Sequence, residues 1–278
     1  MMYDLKQIIQ KYELNAKKSL GQNFILDENL LVKIAKLSLA GVKHNQVLEV
    51  GPGPGGLTKA LLEQGDFPIT AIEKDDRCAK ALAELSSEFP NRLTVLNEDA
   101  LTFDESSLGK DICVVANLPY NVSTVLLVKW LQKIDLFSGL TLMFQKEVAD
   151  RLTAKENDEA YGRLSVLTGW LTDVSMLMIL PPSVFTPAPK VTSALVRLTP
   201  KKERQTGFSF DTMSKLTQAA FSQRRKMLRS SLKTLGLSSD EIEQICVVAG
   251  IESNLRAEQV SVDAFCKMAG WLERKKCR

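Results

Sequence analysis

Residues 47–58 read VLEVGPGPGGLT, and this one stretch excludes most ways a chain could fold around it. A short valine-rich run breaks directly into alternating Gly and Pro and then into helix formers, so a strand must turn tightly into a helix. Gly51, Gly53 and Gly56 let the backbone turn and approach a ligand without Cβ clashes, and a helix opening near Gly56 presents unpaired N–H groups. The glycines also satisfy the pattern G-x-G-x-x-G. From the loop alone a nucleotide-type cofactor is the favoured reading, with a dinucleotide or a purely structural turn as alternatives.

The chain around this loop alternates between β runs and helical patterns. VLEVG, ITAIE, LTVLN, ICVVAN and LTLMFQ are separated by helices expected over Leu57–Gln64, Asp76–Phe89 and Thr124–Lys133. That alternation means a parallel, doubly wound sheet. Before it come an amphipathic helix over residues 3–12 and a helix that Asp27 is placed to cap. After it, VSMLMIL and SALVRL flank PPSVFTPAPK and supply two late strands. Beyond Pro200 the charged KKERQTG reads as a hinge, followed by helices only, over Asp211–Phe221, Arg224–Leu235, Ser239–Ala249 and Val262–Arg274. Two domains are expected, 1–202 and 203–278. Ser238 to Glu241 suit an N-terminal cap, and Gly236 and Gly250 suit helix stops.

Charge and rare residues narrow the function. Residues 1–200 hold 21 Lys and Arg against 24 Asp and Glu, whereas residues 201–278 hold 15 against 9, so the tail is basic and the body mildly acidic. Such asymmetry points to a polyanion-binding appendage, with a solvated basic helix face as the alternative. The five cysteines have no C-x-x-C spacing and His44 is the sole histidine, so neither a metal site nor a histidine-based nucleophilic triad is expected. No apolar run approaches the length of a membrane span, and a cytoplasmic protein is expected.

In open α/β sheets the ligand lies beyond the carboxyl ends of the strands, so the residues ending each strand carry the chemistry. Glu49, two before the first glycine, makes E-x-G-x-G, which resembles the first motif of S-adenosylmethionine (SAM) dependent methyltransferases. Glu73 ends ITAIE about twenty residues past the loop, where a carboxylate can accept from both ribose hydroxyls of an adenosine. Asp99, after LTVLN, is placed to accept from the exocyclic amine of the cofactor adenine. ICVVAN delivers Asn117, Leu118, Pro119 and Tyr120. The Asn117 side-chain carbonyl and a backbone carbonyl before or at the rigid Pro119 are two acceptors for an amino group, and Tyr120 offers a face for a flipped base. Methyl transfer from a sulfonium needs alignment more than acid–base help, so the lack of histidine is no obstacle.

With N-L-P-Y, the loop GPGPGGLT, the upstream K-S-L-G-Q-N-F, the downstream V-F-x-P-x-P-K-V-x-S-A and the basic F-S-Q-R-R-K-M-L-R, the chain resembles the ribosomal RNA adenine dimethyltransferase family over residues 17–232. The resemblance implies an α/β fold, a Rossmann-like doubly wound methyltransferase sheet with a smaller all-α C-terminal domain. It implies SAM as cofactor, with contacts at Asn23, Ile25, Gly51, Glu73, Asp99 and Asn117. It implies catalysis at Asn117, Leu118, Pro119 and Tyr120, with Phe185 facing Tyr120 across the flipped adenine. The implied reaction places four methyl groups on the exocyclic amines of two adjacent adenosines near the 3′ end of small-subunit (16S) ribosomal RNA, in a pre-30S particle and as part of small-subunit biogenesis. Arg224, Arg225, Lys226 and Arg229, with Lys201, Lys202, Arg204 and Lys233, make an RNA-docking surface plausible. A monomer is expected. The family usually has leucine where Ile25 stands and often aspartate at Thr192. Three rival readings remain: a large-subunit rRNA adenine methyltransferase of the macrolide-resistance type, a non-catalytic assembly or transcription factor on the same fold, and a nicotinamide dehydrogenase.

Overall fold

Valine-rich and isoleucine-rich runs that are buried on both faces form the central strands of the main sheet, as parallel sheets require. The computed structural model describes residues 3–14, 22–223 and 225–276; the first part of K-S-L-G-Q-N-F and Arg224 lie outside them. In chain order the elements are α1 (Leu5–Lys11), β1 (Phe24–Ile25), α2 (Glu28–Leu39), β2 (Gln46–Val50), α3 (Gly56–Leu62), β3 (Ile69–Ile72), α4 (Asp76–Glu88) and β4 (Leu93–Leu96). There follow β5 (Ile112–Ala116), α5 (Tyr120–Gln132), β6 (Phe137–Gln145), α6 (Lys146–Thr153), α7 (Arg163–Leu171) and β7 (Thr172–Leu180). The chain continues through β8 (Phe185–Thr186), β9 (Ser193–Pro200), α8 (Phe210–Phe221), α9 (Leu228–Ser231), α10 (Ser239–Ala249) and α11 (Val262–Lys276).

The main sheet has seven strands in the order β4-β3-β2-β5-β6-β9-β7. Strands β4, β3, β2, β5 and β6 are parallel, and β9 pairs antiparallel with β6. From β2 the chain steps outward one way to β3 and β4, then returns to place β5 on the other side. The cleft between β2 and β5 is therefore the switch point, where ligands of such sheets bind. Register does the rest: Val50 pairs with Ala116 and with Ile72, and Ile72 pairs with Leu96. The residues that follow these four strands, Gly51, Asn117, Glu73 and Asn97, thus emerge in one row.

Local signals in the sequence correspond to observed caps. Asp27 accepts from the Leu30 amide at 3.1 Å to open α2, and Ser238 and Glu241 form a reciprocal capping box at α10. Gly236 and Gly250 adopt left-handed conformations that end their helices. Two expectations are corrected. Gly55, not Gly56, takes the left-handed conformation (φ 85°) before α3; a Cβ on Gly56 would stand 2.9 Å from the side-chain ends of Leu31 and Leu5, which would have to shift. The single helix expected over Arg224–Leu235 is instead the short α9 followed by a 3-10 turn, so Arg225 and Lys226 sit in the turn before it.

The chain divides into two compact units, one of residues 1–149 and 175–200, the other of 150–174 and 201–278. A single cut near residue 202 therefore misses part of the second unit, and aromatic packing explains why. Trp170 of α7 stacks on Phe208 and Phe210 at 5.0 and 6.2 Å and donates its indole N–H to the Gln205 carbonyl at 3.0 Å. Tyr161 donates to the Val260 carbonyl at 2.9 Å and meets Phe221 edge-on. Residues 150–174 fold with the tail because their large aromatic surface is buried there.

Candidate active site

The ends of β2, β3, β4 and β5 enclose a cavity of about 370 Å3. Its lining includes Asn23, Ile25, Gly51, Glu73, Asp99, Asn117, Leu118, Pro119 and Tyr120, every cofactor position and four of the five catalytic positions expected from the sequence. Gly51 (φ 68°) and Gly53 (φ 57°) hold the loop in left-handed turns, and a Cβ on Gly53 would stand 2.8 Å from the Phe24 ring. From behind, Tyr3 of the N-terminal segment donates to the Pro54 carbonyl at 2.5 Å. Tyr3 is a support with no signal in the sequence.

Glu73 has two jobs. Its Oε2 accepts from the Gly53 amide at 2.9 Å and its Oε1 from the Asp75 amide at 2.8 Å, so it fastens the glycine loop to the end of β3. A carboxylate has about four lone-pair sites, which leaves acceptor capacity toward the cavity. Burial raises its pKa, while the Asp75 and Gly53 amides oppose that shift. Asp99 accepts from the Leu101 amide at 2.9 Å and pairs with Lys74 at 2.7 Å; the Lys74 bond, the larger influence, lowers its pKa.

Glu49 differs from both. It is 1% exposed, lines the cavity, and its Oε2 has no hydrogen-bond partner. Burial pushes its pKa up to about 8; Thr58 lies close enough to oppose the shift, though its hydroxyl makes no well-formed hydrogen bond, and the Glu73 charge adds to it. A buried carboxyl with an unclaimed oxygen suits a cationic ligand.

The Asn117 amide donates from Nδ2 to the Asn23 carbonyl at 3.2 Å, which leaves Oδ1 as its acceptor. Pro119 is the N-terminal cap residue of α5, and its carbonyl accepts from the Val122 and Ser123 amides at 3.1 and 3.2 Å. Of the two backbone carbonyls open in the sequence reading, Leu118's is therefore the one left over. The Tyr120 hydroxyl is bonded to Ser193 Oγ at 2.6 Å, which fixes the ring at the start of α5.

Phe185 does not line the cavity. It is 4% exposed, belongs to the hydrophobic core and pairs with Ile25 in the two-stranded sheet of β1 and β8. Its place opposite Tyr120 across a flipped adenine stays what the resemblance implies. Arg225, Lys226 and Arg229 are exposed and have no ion-pair partner among the described residues. Lys201 is different: its ammonium donates to the Gly169 carbonyl at 2.5 Å and is not a free cation.

Comparison with known proteins shows the family to which this fold belongs. A family model described as ribosomal RNA adenine dimethylase matches residues 13–274. A "Ribosomal RNA small subunit methyltransferase A" from Rhizobium etli is 50% identical over 273 residues, covering 96% of this chain and 97% of that protein. Among solved structures, a dimethyladenosine transferase from Plasmodium falciparum superposes with a TM-score of 0.72 at 26% identity, over 88% of this chain and 95% of that one. A 23S rRNA methyltransferase, ErmE, superposes with a TM-score of 0.67 at 25% identity, over 90% of this chain and 99% of that one.

Proposed function

This chain belongs to the ribosomal RNA adenine dimethylase family, and on that premise we propose how its residues divide the work. It is a SAM-dependent methyltransferase that dimethylates adenine in small-subunit ribosomal RNA. The large-subunit reading is not favoured, because the relatives at about half identity are small-subunit enzymes. The finer assignment, two adjacent adenosines near the 3′ end in a pre-30S particle, acted on by a cytoplasmic monomer, is our reading. Among the described residues no helix is long and apolar enough to cross a membrane, and no group of His, Cys, Asp and Glu could hold a metal ion.

The cavity fits SAM on three counts. Gly51 lines the cavity with no side chain, a Cβ there meeting only the Asn117 carbonyl at 3.9 Å, Glu73 and Asp99 offer acceptors for an adenosine, and the unpartnered Glu49 oxygen suits a cation. When bound, SAM supplies an electrophilic methyl on a sulfonium whose departure leaves a neutral thioether. Asn117 Oδ1 and the Leu118 carbonyl accept the two protons of the target amine and turn its lone pair toward the methyl. Tyr120, held by Ser193, supports the base by its face. Asn23 keeps Asn117 in the orientation this requires. Residues 203–278 dock the RNA, with Arg225, Lys226 and Arg229 meeting phosphates and Arg224 assigned with them from sequence.

The observation that carries this reading is the pairing of Val50 with Ala116, which sets the glycine loop beside N-L-P-Y in one cavity. Labelled methyl transfer from SAM onto under-methylated small subunits, followed by mapping of the modified nucleotides, tests it. Label on any base other than adenine in small-subunit RNA would refute the target.

A further inference from the structure

Lys129 is a charge inside the apolar helix run VLLVKWL, about two and a half turns beyond Tyr120 at 3.6 residues per turn. It does not line the cavity. Its Nζ donates to the Ala100 carbonyl at 2.7 Å, to the Phe103 carbonyl at 2.5 Å and to Glu105 Oε1 at 2.7 Å. An ammonium has three donors, and all three are used. Glu105 is 1% exposed and takes the Trp130 indole N–H at 2.8 Å on the same oxygen, so the network cannot drift on the surface.

The two carbonyls belong to the turn that Asp99 begins. Thr102 and Phe103 amides both donate to the Asp99 carbonyl at 3.0 Å, and the Leu101 amide donates to the Asp99 carboxylate. Asp99, Ala100 and Leu101 line the cavity. Lys129 thus fastens this wall from behind to the helix whose first residue is Tyr120. Without the ammonium, two backbone carbonyls and a buried carboxylate would lose their shared donor; Trp130 and Lys133 would still tie Glu105 and Asp104 to α5, but the Ala100 and Phe103 carbonyls would lose this tie to it.

We propose that Lys129 is a positioning residue for the cofactor: by holding the Ala100 and Phe103 carbonyls it sets the Asp99 turn, and so the affinity for the adenosine portion of SAM. The proposal rests on the reading that Asp99 meets the adenosine.

Calorimetric titration of the parent, K129M, K129R and K129M/E105Q with SAM, S-adenosylhomocysteine and 5′-methylthioadenosine tests it. K129M should weaken all three ligands by the same factor, about tenfold, the scale of one lost well-placed polar contact. K129R, which keeps the charge and several donors, should retain most of the affinity. K129M/E105Q removes the buried carboxylate that K129M leaves with only the Trp130 indole and a 3.4 Å pairing with Lys133, and should regain thermal stability without regaining affinity. Hydrogen exchange in K129M should speed up at Leu101–Phe103 and stay unchanged over Gly51–Gly56. A network that only stabilises the fold predicts that affinity returns with stability in the double variant. That result, or a K129M dissociation constant within twofold of the parent for SAM, overturns the proposal. A parent that binds none of the three ligands overturns the cofactor reading and this role with it, whereas a parent that binds and variants that match it overturn the role alone.

Discussion

Replacing Glu49 by Gln tests whether the cavity holds a buried acid reserved for a cation. The folded-state pKa of Glu49 is raised from 4.5 to about 8 by burial. Between these values the folded protein keeps a proton that the unfolded chain has lost, so stability falls as pH rises through the window and levels off above pH 8. At 1.36 kcal/mol per pKa unit, the loss relative to acid pH is about 3 kcal/mol at pH 7 and about 5 kcal/mol at pH 9. Glutamine cannot ionise, so Glu49→Gln should abolish this slope. Urea unfolding of both proteins without cofactor, at pH 5, 7 and 9, measures it. The stability difference in favour of the variant should widen by roughly these amounts.

Binding should run the other way. At pH 7 a carboxyl with a pKa near 8 is mostly protonated, and a sulfonium cofactor favours its ionised form, so SAM binding should release close to one proton. Titrations in two buffers of different ionisation enthalpy count that proton, and Glu49→Gln should release none and bind SAM more weakly. Parallel stability profiles for the two proteins, together with equal proton counts on binding, would refute the reasoning and leave Glu49 as an ordinary core residue.

Glu73→Ala should weaken SAM binding and lower the melting temperature together, because the Gly53 and Asp75 amides lose their acceptor at about 1–3 kcal/mol each. Calorimetry and thermal unfolding check both, and an unchanged dissociation constant in the folded variant would remove the ribose role. Asn117→Ala should abolish methyl transfer while the fold survives; single-turnover rates within about threefold of the parent, roughly 0.65 kcal/mol on the barrier, would contradict the assignment. Replacing Arg225, Lys226 and Arg229 together by Ala should leave SAM affinity alone and flatten the salt dependence of small-subunit binding by roughly 0.7–0.9 in log–log slope per lost phosphate contact. Filter binding over a salt series decides this, and parallel slopes would return these residues to a merely solvated face.

Much of the site was legible because it follows from strand ends. Once VLEVG, ITAIE, LTVLN and ICVVAN are parallel neighbours, their following residues share one edge, and composition then suggests what each can do. Lone pairs already in use were not legible. Nothing in the sequence shows that both Glu73 oxygens serve backbone amides, or that the Pro119 carbonyl is consumed by the first turn of α5. The placement of Phe185 was hidden for a different reason. It depends on a two-residue strand pairing with Ile25, and two residues have no periodicity to read. Likewise Arg225 and Lys226 have helical spacing on paper, yet the helix starts at Leu228, whose amide is drawn to the Leu255 carbonyl at 2.8 Å.

Of the five acidic side chains that line the cavity, Glu49, Glu73 and Asp99 differ in what each already holds, and that difference orders the site. Glu73 is met by two backbone amides and Asp99 by Lys74 and an amide, so these two are acceptors in settled surroundings, suited to the neutral hydrogen-bonding groups of an adenosine. Glu49 alone among the three has a buried oxygen with no partner, so its ionised form is the one that a bound cation must stabilise. Beyond these carboxyls, Asn117 Oδ1 and the Leu118 carbonyl are acceptors that do not titrate, so in the proposed role they would hold the target amine at any working pH. On the proposed assignment, a cavity built this way would fix the cofactor through charge and shape and leave the reacting amine to be aligned by neutral groups. That is sufficient for a displacement whose leaving group departs uncharged, and it explains why a chain with one distant histidine, its ring turned to the Val42 carbonyl at 2.8 Å, needs no general base from that residue.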